Sequence, residues 1–281
     1  MYNYGKNDRP LILSVLVSMF IFTIHPLYPI EKGDGTSFTF VQLCDPQLGM
    51  GGYEHDMETF AKAVQRINIL KPDFVIICGD LVNIANVKSC GDFEKIKSDL
   101  KVPCYLLAGN HDIGNEPTSA TLTFYRKTFG KDYYSFQHKR FAFIVVNTQL
   151  WKSHTKGESE RHDLWFRKEL RAASERKSPV IVAGHYPLFL KSPDEKEEYF
   201  NISKEKRLEI LSLFKECGVI AMLGGHVHKL IINDYEGIQF VNGETTCVNF
   251  DKRPFGFRLW RVDASGALTH EFIPLEEDKI E

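Results

Sequence analysis

The sequence lacks an excess of charge of either sign. Its 35 Lys and Arg residues are balanced by 37 Asp and Glu residues, which leaves a formal net charge of −2. Domains that bind nucleic acid or anionic membrane surfaces usually carry a clear basic excess. The composition therefore predicts no nucleic acid as a stable partner, and no membrane surface bound through the folded domain.

The chain also lacks an apolar run of the about 20 residues that a transmembrane helix needs. The apolar run Leu11–Ile24 is shorter and follows a polar segment that carries Lys6 and Arg9. This pattern is typical of a secretory signal, although His25–Pro29 is a poor cleavage context. An uncleaved anchor and an apolar helix packed on the domain are the alternatives. We interpret residues 1–35 as a signal peptide or membrane anchor plus a short linker. The protein is then exported or membrane-anchored through this segment, and a cytoplasmic location is the alternative.

Paired cysteine motifs are absent as well. No Cys-x-x-Cys occurs, and Cys44, Cys78 and Cys104 each lie in or beside an apolar run that reads as a buried strand. Buried free thiols behave as small hydrophobic groups. The six cysteines therefore do not predict a disulfide framework. They favour a reduced compartment, in conflict with the N-terminal segment.

From Ser37 onward, short apolar strands alternate with amphipathic helices. Solidly apolar strands joined by helices are typical of parallel sheets that are buried on both faces. We predict one catalytic domain over residues 36–281 of the α/β class (α+β in some schemes), with two mixed β-sheets packed as a sandwich and flanked by helices. The predicted strands that matter for the site are Ser37–Cys44, Phe74–Cys78, Cys104–Ala108, Pro179–Ala183 and Val219–Leu223.

Each of these five strands ends in a polar motif. The motifs are Asp45-Pro46-Gln47, Gly79-Asp80, Gly109-Asn110-His111-Asp112, Gly184-His185 and Gly225-His226-Val227-His228. Taken singly, they are also consistent with a turn, a helix cap or one face of an edge strand. Because ligands bind at the carboxyl ends of strands in such sheets, the ordered set indicates one shared site. Mixed carboxylate, amide and imidazole donors suit two borderline metal ions such as Mn²⁺, Fe or Zn²⁺.

This ordered set resembles the calcineurin-like metallophosphoesterase superfamily over nearly the whole chain after the N-terminal segment. The most specific motifs are Gly109–Asp112 and Gly225–His228. A closer likeness to a Ser/Thr phosphatase-like member of that superfamily lies in Asp45–Gln47, Gly109–Thr118 and His185–Ser203. The resemblance implies the metallophosphoesterase fold and a dinuclear metal centre.

The resemblance also implies a role for each residue of the motifs. Asp80 would bridge both metals. Asp45 and His228 would complete one site, and Asn110, His185 and His226 would complete the other. His111 would lie beside the phosphate and assist the leaving group, with Asp112 orienting it.

Gln47 departs from the commonest pattern of the superfamily, which has His at this position. An amide oxygen holds a borderline metal less well than imidazole does. We therefore expect Gln47, as the metal ligand at this position, to make the Asp45–His228 site the weaker of the two.

The predicted function is a metal-dependent phosphoric ester hydrolase that uses a metal-bound hydroxide. We expect a phosphomonoesterase, in particular a phosphoprotein Ser/Thr phosphatase, with a phosphorylated protein or small molecule as substrate. Two alternatives stay open: a phosphodiesterase or nucleotide hydrolase with the same centre, and a metal-binding interaction module without catalysis. The charged stretch Phe189–Lys206, around Tyr199 and Phe200, is either a solvated loop or a flap over the metals. Asn201-Ile202-Ser203 is a glycosylation sequon if the chain is secreted from a eukaryote.

Overall fold

The computed structural model describes residues 37–276. The interpreted signal peptide or anchor therefore lies outside the described residues. Within the described range, no helix is long and apolar enough to cross a membrane. All six cysteines are free thiols, in agreement with the absence of paired motifs.

The described residues form eleven strands and seven helices. The strands are β1 (Phe38–Leu43), β2 (Phe74–Ile77), β3 (Cys104–Leu106), β4 (Tyr134–His138), β5 (Phe141–Val145), β6 (Val180–Ala183), β7 (Val219–Gly224), β8 (Ile231–Tyr235), β9 (Ile238–Asn242), β10 (Gly256–Val262) and β11 (Leu268–Pro274). The helices are α1 (Tyr53–Leu70), α2 (Val87–Lys97), α3 (Asn110–Ile113), α4 (Ser119–Thr128), α5 (Gln149–Lys152), α6 (Glu158–Glu175) and α7 (Lys204–Cys217).

The strands form two mixed sheets. The first has the order β11-β10-β1-β2-β3, and the second has the order β4-β5-β6-β7-β9-β8. Within them, β1, β2 and β3 pair in parallel, as do β5, β6 and β7. The carboxyl ends of β1, β2 and β3 therefore lie side by side, and those of β6 and β7 lie side by side in the other sheet.

The two sheets pack on each other through a dense aromatic core. The Phe40 ring stacks on Phe74 at 5.3 Å and on Trp260 at 5.7 Å, and Phe143 of the second sheet meets Phe40 edge-on at 5.5 Å. Helices α1, α2 and α4 cover the outer face of the first sheet, while α6 and α7 cover the second. The predicted sandwich of two mixed sheets with helices outside is confirmed.

The five predicted strands match β1, β2, β3, β6 and β7, with bounds that differ by at most two residues. The sequence analysis missed α2 and α4, which lie between predicted strands. Both helices begin with a capping box, from Asn86 with Ser89 and from Thr118 with Thr121. A capping residue that is followed three residues later by its reciprocal partner is a sequence signal for the start of a helix.

Candidate metal centre

The ends of four of the five motif-bearing strands, β1, β2, β6 and β7, meet in two overlapping groups of donor atoms. One group is Asp80, His185 and His226, and the other is Asp45, Asp80 and His228. Within each group the ligand-capable atoms lie within 4.8 Å of one another, and every member is buried. Asp80 belongs to both groups. A carboxylate can offer one oxygen to each of two ions, so this is the position that a bridging ligand needs.

Backbone strain is concentrated in these same motifs. Ten non-glycine residues in the described part of the chain have a positive φ, and half of them are site residues predicted from the sequence. These five are Asp45 (46°), Gln47 (34°), Asp80 (47°), His226 (69°) and His228 (51°). The left-handed region costs side-chain-bearing residues free energy and persists where surrounding structure enforces it, often at functional sites.

The glycine that precedes Asn110 is required by close packing. A Cβ atom at Gly109 would lie 2.1 Å from both the backbone nitrogen and Oδ1 of Asp80. Any side chain there would displace the carboxylate shared by both groups. The Gly-Asn-His-Asp motif thus lets the end of β3 approach the end of β2.

Two of the three imidazoles in the groups are held through one ring nitrogen. His185 Nδ1 lies 2.8 Å from the Cys78 carbonyl oxygen, and His228 Nδ1 lies 2.8 Å from that of Val248. A carbonyl can only accept, so Nδ1 carries the proton and Nε2 is left to bind a metal. The third imidazole, His226, packs on the Tyr199 ring at a centroid distance of 5.2 Å, and its Nε2 is buried without a partner.

The two amide side chains of the motifs are also oriented. Asn110 Oδ1 lies 3.1 Å from His185 Nε2, which places its oxygen on the same side as the metal-binding nitrogen. Gln47 Nε2 donates to Asn83 Oδ1 at 3.3 Å, and this leaves the Gln47 oxygen, Oε1, buried with no partner.

The donors fit two metal ions. Buried polar atoms without partners are rare and costly, yet two of the predicted ligand atoms, Gln47 Oε1 and His226 Nε2, are in this state. Both atoms are good metal donors, and the set as a whole combines imidazole nitrogen with carboxylate and amide oxygen. That combination suits Mn²⁺, Fe and Zn²⁺.

A buried ion pair occupies the middle of the centre. His185 Nε2 lies 3.2 Å from Asp80 Oδ2. Burial alone would lower the pKa of His185, but the charge of Asp80 and the hydrogen bond to it raise this pKa well above its usual range. Burial would likewise raise the pKa of Asp80, yet His185 draws it below normal. For His226, burial and then the charge on His185 lower the pKa well below its usual value. A metal that binds here therefore displaces the proton of His185.

The role expected for Asp112 is corrected by the structure. Its carboxylate accepts from the backbone amides of Leu81 at 3.0 Å and Gly109 at 2.8 Å, so it joins the ends of β2 and β3. The His111 ring is oriented by the Asn83 carbonyl, whose oxygen lies 2.9 Å from Nδ1. Asp112 thus acts on the loops that carry Asp80 and Asn110, and a backbone group takes the place predicted for it beside His111.

Two further residues that support the centre come from the end of β5, which the sequence analysis did not connect with it. Thr148 Oγ1 accepts from the backbone amide of His185 at 3.2 Å. The Gln149 amide, turned so that both of its ends are satisfied, accepts from the Asn110 amide at 2.6 Å. Both side chains are fully buried. The sequence signal for these two residues was the polar stretch that follows the apolar strand Phe141–Val145, as polar motifs follow the other strands of the site.

Comparisons with known proteins agree with the predicted fold and family. The calcineurin-like phosphoesterase family matches residues 38–230. The serine/threonine-protein phosphatase CPPED1 of Bos taurus is 33% identical over 265 residues, which cover 85% of this chain and 84% of the relative. The closer likeness to a Ser/Thr phosphatase-like member is thereby confirmed.

Two solved structures share the fold at low sequence identity. A dimetal phosphatase from Danio rerio aligns with a TM-score of 0.67 and 13% identity, over 85% of this chain and 97% of that one. GAP50, the anchor in the inner membrane complex of Plasmodium, aligns with a TM-score of 0.64 and 16% identity, over 88% of this chain and 87% of that one. The family match and the curated relative together show that this chain is a phosphoester hydrolase that belongs to the calcineurin-like phosphoesterase family.

Proposed function

We propose that the chain is a two-metal phosphomonoesterase that acts on phosphoserine and phosphothreonine in proteins. The observation that carries the proposal is the sharing of Asp80 by two buried donor groups. The substrate class is supported by the likeness to CPPED1, which is named a serine/threonine-protein phosphatase.

The two groups, with Gln47 and Asn110, would form two metal sites. Asp45, Gln47 and His228 would hold one ion, Asn110, His185 and His226 would hold the other, and Asp80 would be shared. Two ions of Mn²⁺, Fe or Zn²⁺ would supply a water activated near neutral pH and neutralise charge on the phosphoryl oxygens. The protein orients His185 and His228 through the carbonyls that accept from their Nδ1 atoms.

His111 serves the leaving group. Its Nδ1 is held by the Asn83 carbonyl, and the side chain is partly exposed rather than enclosed with the ligands. Imidazole is the side chain best suited to give a proton to an alkoxide near neutral pH. A serine or threonine alkoxide is a poor leaving group, so this help matters most for phosphoprotein substrates.

The two alternative functions lead to different expectations. The fold alone does not establish catalysis, because GAP50 shares it and is described as an anchor. In this chain, however, both donor groups and His111 are present, which favours an active enzyme over an interaction module. A diesterase or nucleotide hydrolase with the same centre would prefer substrates with one negative charge fewer.

A substrate comparison tests the proposal. We expect the Mn²⁺-loaded protein to hydrolyse p-nitrophenyl phosphate at least about tenfold faster than bis-p-nitrophenyl phosphate, a difference of about 1.4 kcal/mol between the two transition states. It should also release phosphate from phosphoserine and phosphothreonine peptides. Faster turnover of the diester would favour the diesterase, and no turnover of any ester by metal-loaded protein would favour the interaction module.

A further inference from the structure

Residues 189–203, between β6 and α7, form a strap that crosses the edge of the metal centre. Its first residue, Phe189, packs on Phe240 at 4.9 Å, and Ile202 near its end is fully buried in the core. Between these two attachments, Tyr199 and Phe200 both contact the His226 ring, with centroid distances of 5.2 and 5.4 Å. The flap interpretation of this stretch therefore describes its position better than a solvated loop does.

The strap is fixed by buried polar contacts. The Arg207 guanidinium, which is fully buried, donates to the carbonyls of Pro193 at 2.7 Å and Ile202 at 2.7 Å. Lys152 Nζ donates to the carbonyl of Asn201 at 2.8 Å. The strap thus holds its aromatic residues in a defined place, as pre-organised substrate contacts require.

The same contacts change the interpretation of the glycosylation sequon. The Asn201 side chain is 1% exposed, and its Nδ2 donates to Glu195 Oε1 at 2.7 Å and to the Lys196 carbonyl at 2.9 Å. In the folded chain this nitrogen is a structural donor inside the strap and is not open to glycan attachment.

Tyr199 touches two residues of the same donor site. Its ring packs on the His226 ring at a centroid distance of 5.2 Å, and its hydroxyl oxygen accepts from Asn110 Nδ2 at 3.4 Å. Asn110 presents its own oxygen to the metal side, so its Nδ2 necessarily points towards Tyr199. The side chain of Tyr199 nevertheless remains 51% exposed.

The hydroxyl proton of Tyr199 is available to a ligand. The oxygen accepts from Asn110 Nδ2, and the nearby Tyr186 hydroxyl donates its own proton to Asn115 Oδ1 at 3.4 Å. A hydroxyl that accepts one hydrogen bond still has its proton to donate. None of the hydrogen bonds found among residues 37–276 has the Tyr199 hydroxyl as its donor. An O–H donor at the edge of the metal centre, from which no described residue accepts, is suited to an anionic oxygen of the substrate.

We propose that Tyr199 is a substrate-binding residue whose hydroxyl donates a hydrogen bond to a phosphoryl oxygen of the bound ester. This inference rests on the proposed function, because it requires phosphate at the centre. The Tyr199 hydroxyl would donate to phosphate equally in the ground state and in the transition state. It therefore contributes to the affinity for substrate, and much less to kcat.

The test is Tyr199→Phe, which removes the hydroxyl and keeps the ring on His226. The Kd of inorganic phosphate for the Mn²⁺-loaded protein, measured by calorimetry, should rise about tenfold or more, the usual effect of losing a hydrogen bond to a charged group. KM for a phosphoserine peptide should rise in parallel, while kcat and metal content stay near wild type. Tyr235→Phe is the matched control, because this ring contacts Phe189 at 6.1 Å, at the far end of the strap.

The outcomes are distinct. Equal phosphate affinity in Tyr199→Phe and wild type, with turnover intact, would overturn the inference and leave the proposed function standing. Loss of metal from Tyr199→Phe would also overturn it, since the hydroxyl would then act on Asn110 and not on substrate. A metal-loaded wild type that neither binds phosphate nor turns over any ester would overturn both proposals.

Discussion

Replacing Asp80 with Asn is expected to remove at least one metal ion and to lower turnover by more than about 100-fold. Loss of a side chain that only hydrogen-bonds a metal ligand already costs about 10–100-fold in metal affinity or activity, and Asp80 is the one residue common to both donor groups. Asparagine keeps a single acceptor oxygen and places an NH₂ group where the second ion needs an oxygen. It also removes the charge that pairs with His185 at 3.2 Å.

The measurement is metal content by elemental analysis together with turnover on the same sample. Glu158→Gln is the matched control, because Glu158 is also buried, at 8% exposure, but pairs with Arg126 and Arg161 away from the centre. That variant should keep both metals even if it unfolds at a lower temperature. Two tightly bound metals and normal turnover in Asp80→Asn would show that Asp80 is not the bridge.

Replacing His111 with Ala is expected to lower kcat by about 10²–10⁴, the range for general acid–base help. Metal content should not change, since His111 lies outside both donor groups. The loss should be large for a phosphoserine peptide and smaller for p-nitrophenyl phosphate, whose leaving group is already stable as an anion.

The comparison of leaving groups is the decisive part of that experiment. An equal loss on both substrates would make His111 a binding or structural residue instead of a proton donor. His154→Ala is the control, because His154 is exposed and lies 3.4 Å from Glu160 on the surface. It should leave turnover on both substrates unchanged.

The sandwich fold and the grouping of the site residues could be predicted from the sequence. Both depend on apolar strands with polar ends, and these are visible in short stretches of sequence. Asp45, Asp80 and His185 each follow such a strand directly or after one glycine, so their convergence required parallel strands within each sheet and the packing of the two sheets on each other. The contacts around them depend on loop conformation and are not local. The Asn83 carbonyl beside His111 is a backbone group that no side-chain motif identifies. The resemblance implied that Asp112 orients His111, but the Asp112 carboxylate accepts from the backbone amides of Leu81 and Gly109 instead.

For the same reason, the sequence left two alternatives for the stretch around Tyr199, a solvated loop and a flap over the metals. Tyr199 lies in a stretch whose composition is that of a solvated loop. Its place over His226 depends on Arg207 and Lys152, two cations whose sequence context resembles an ordinary helix surface. Only the folded strap shows that both side chains donate inward to carbonyls.

Gln47 leads to an expectation about unequal metal sites. Its oxygen is buried without a partner, which fits a ligand, but it is a weaker donor to a borderline ion than imidazole. Gln47→His should therefore tighten the second metal about tenfold, or about 1.4 kcal/mol. Equal affinity for the second metal in both proteins would place Gln47 outside the centre.

The central claim is that hydrolysis requires two metal ions held around Asp80. Wild-type protein freed of metal by chelation is titrated with Mn²⁺, and hydrolysis of a phosphomonoester is measured at each addition. The account predicts no turnover without metal, binding of two equivalents with unequal affinity, and activity that follows the filling of the weaker site. Full turnover in the metal-free protein, or activity complete after one equivalent, would contradict it.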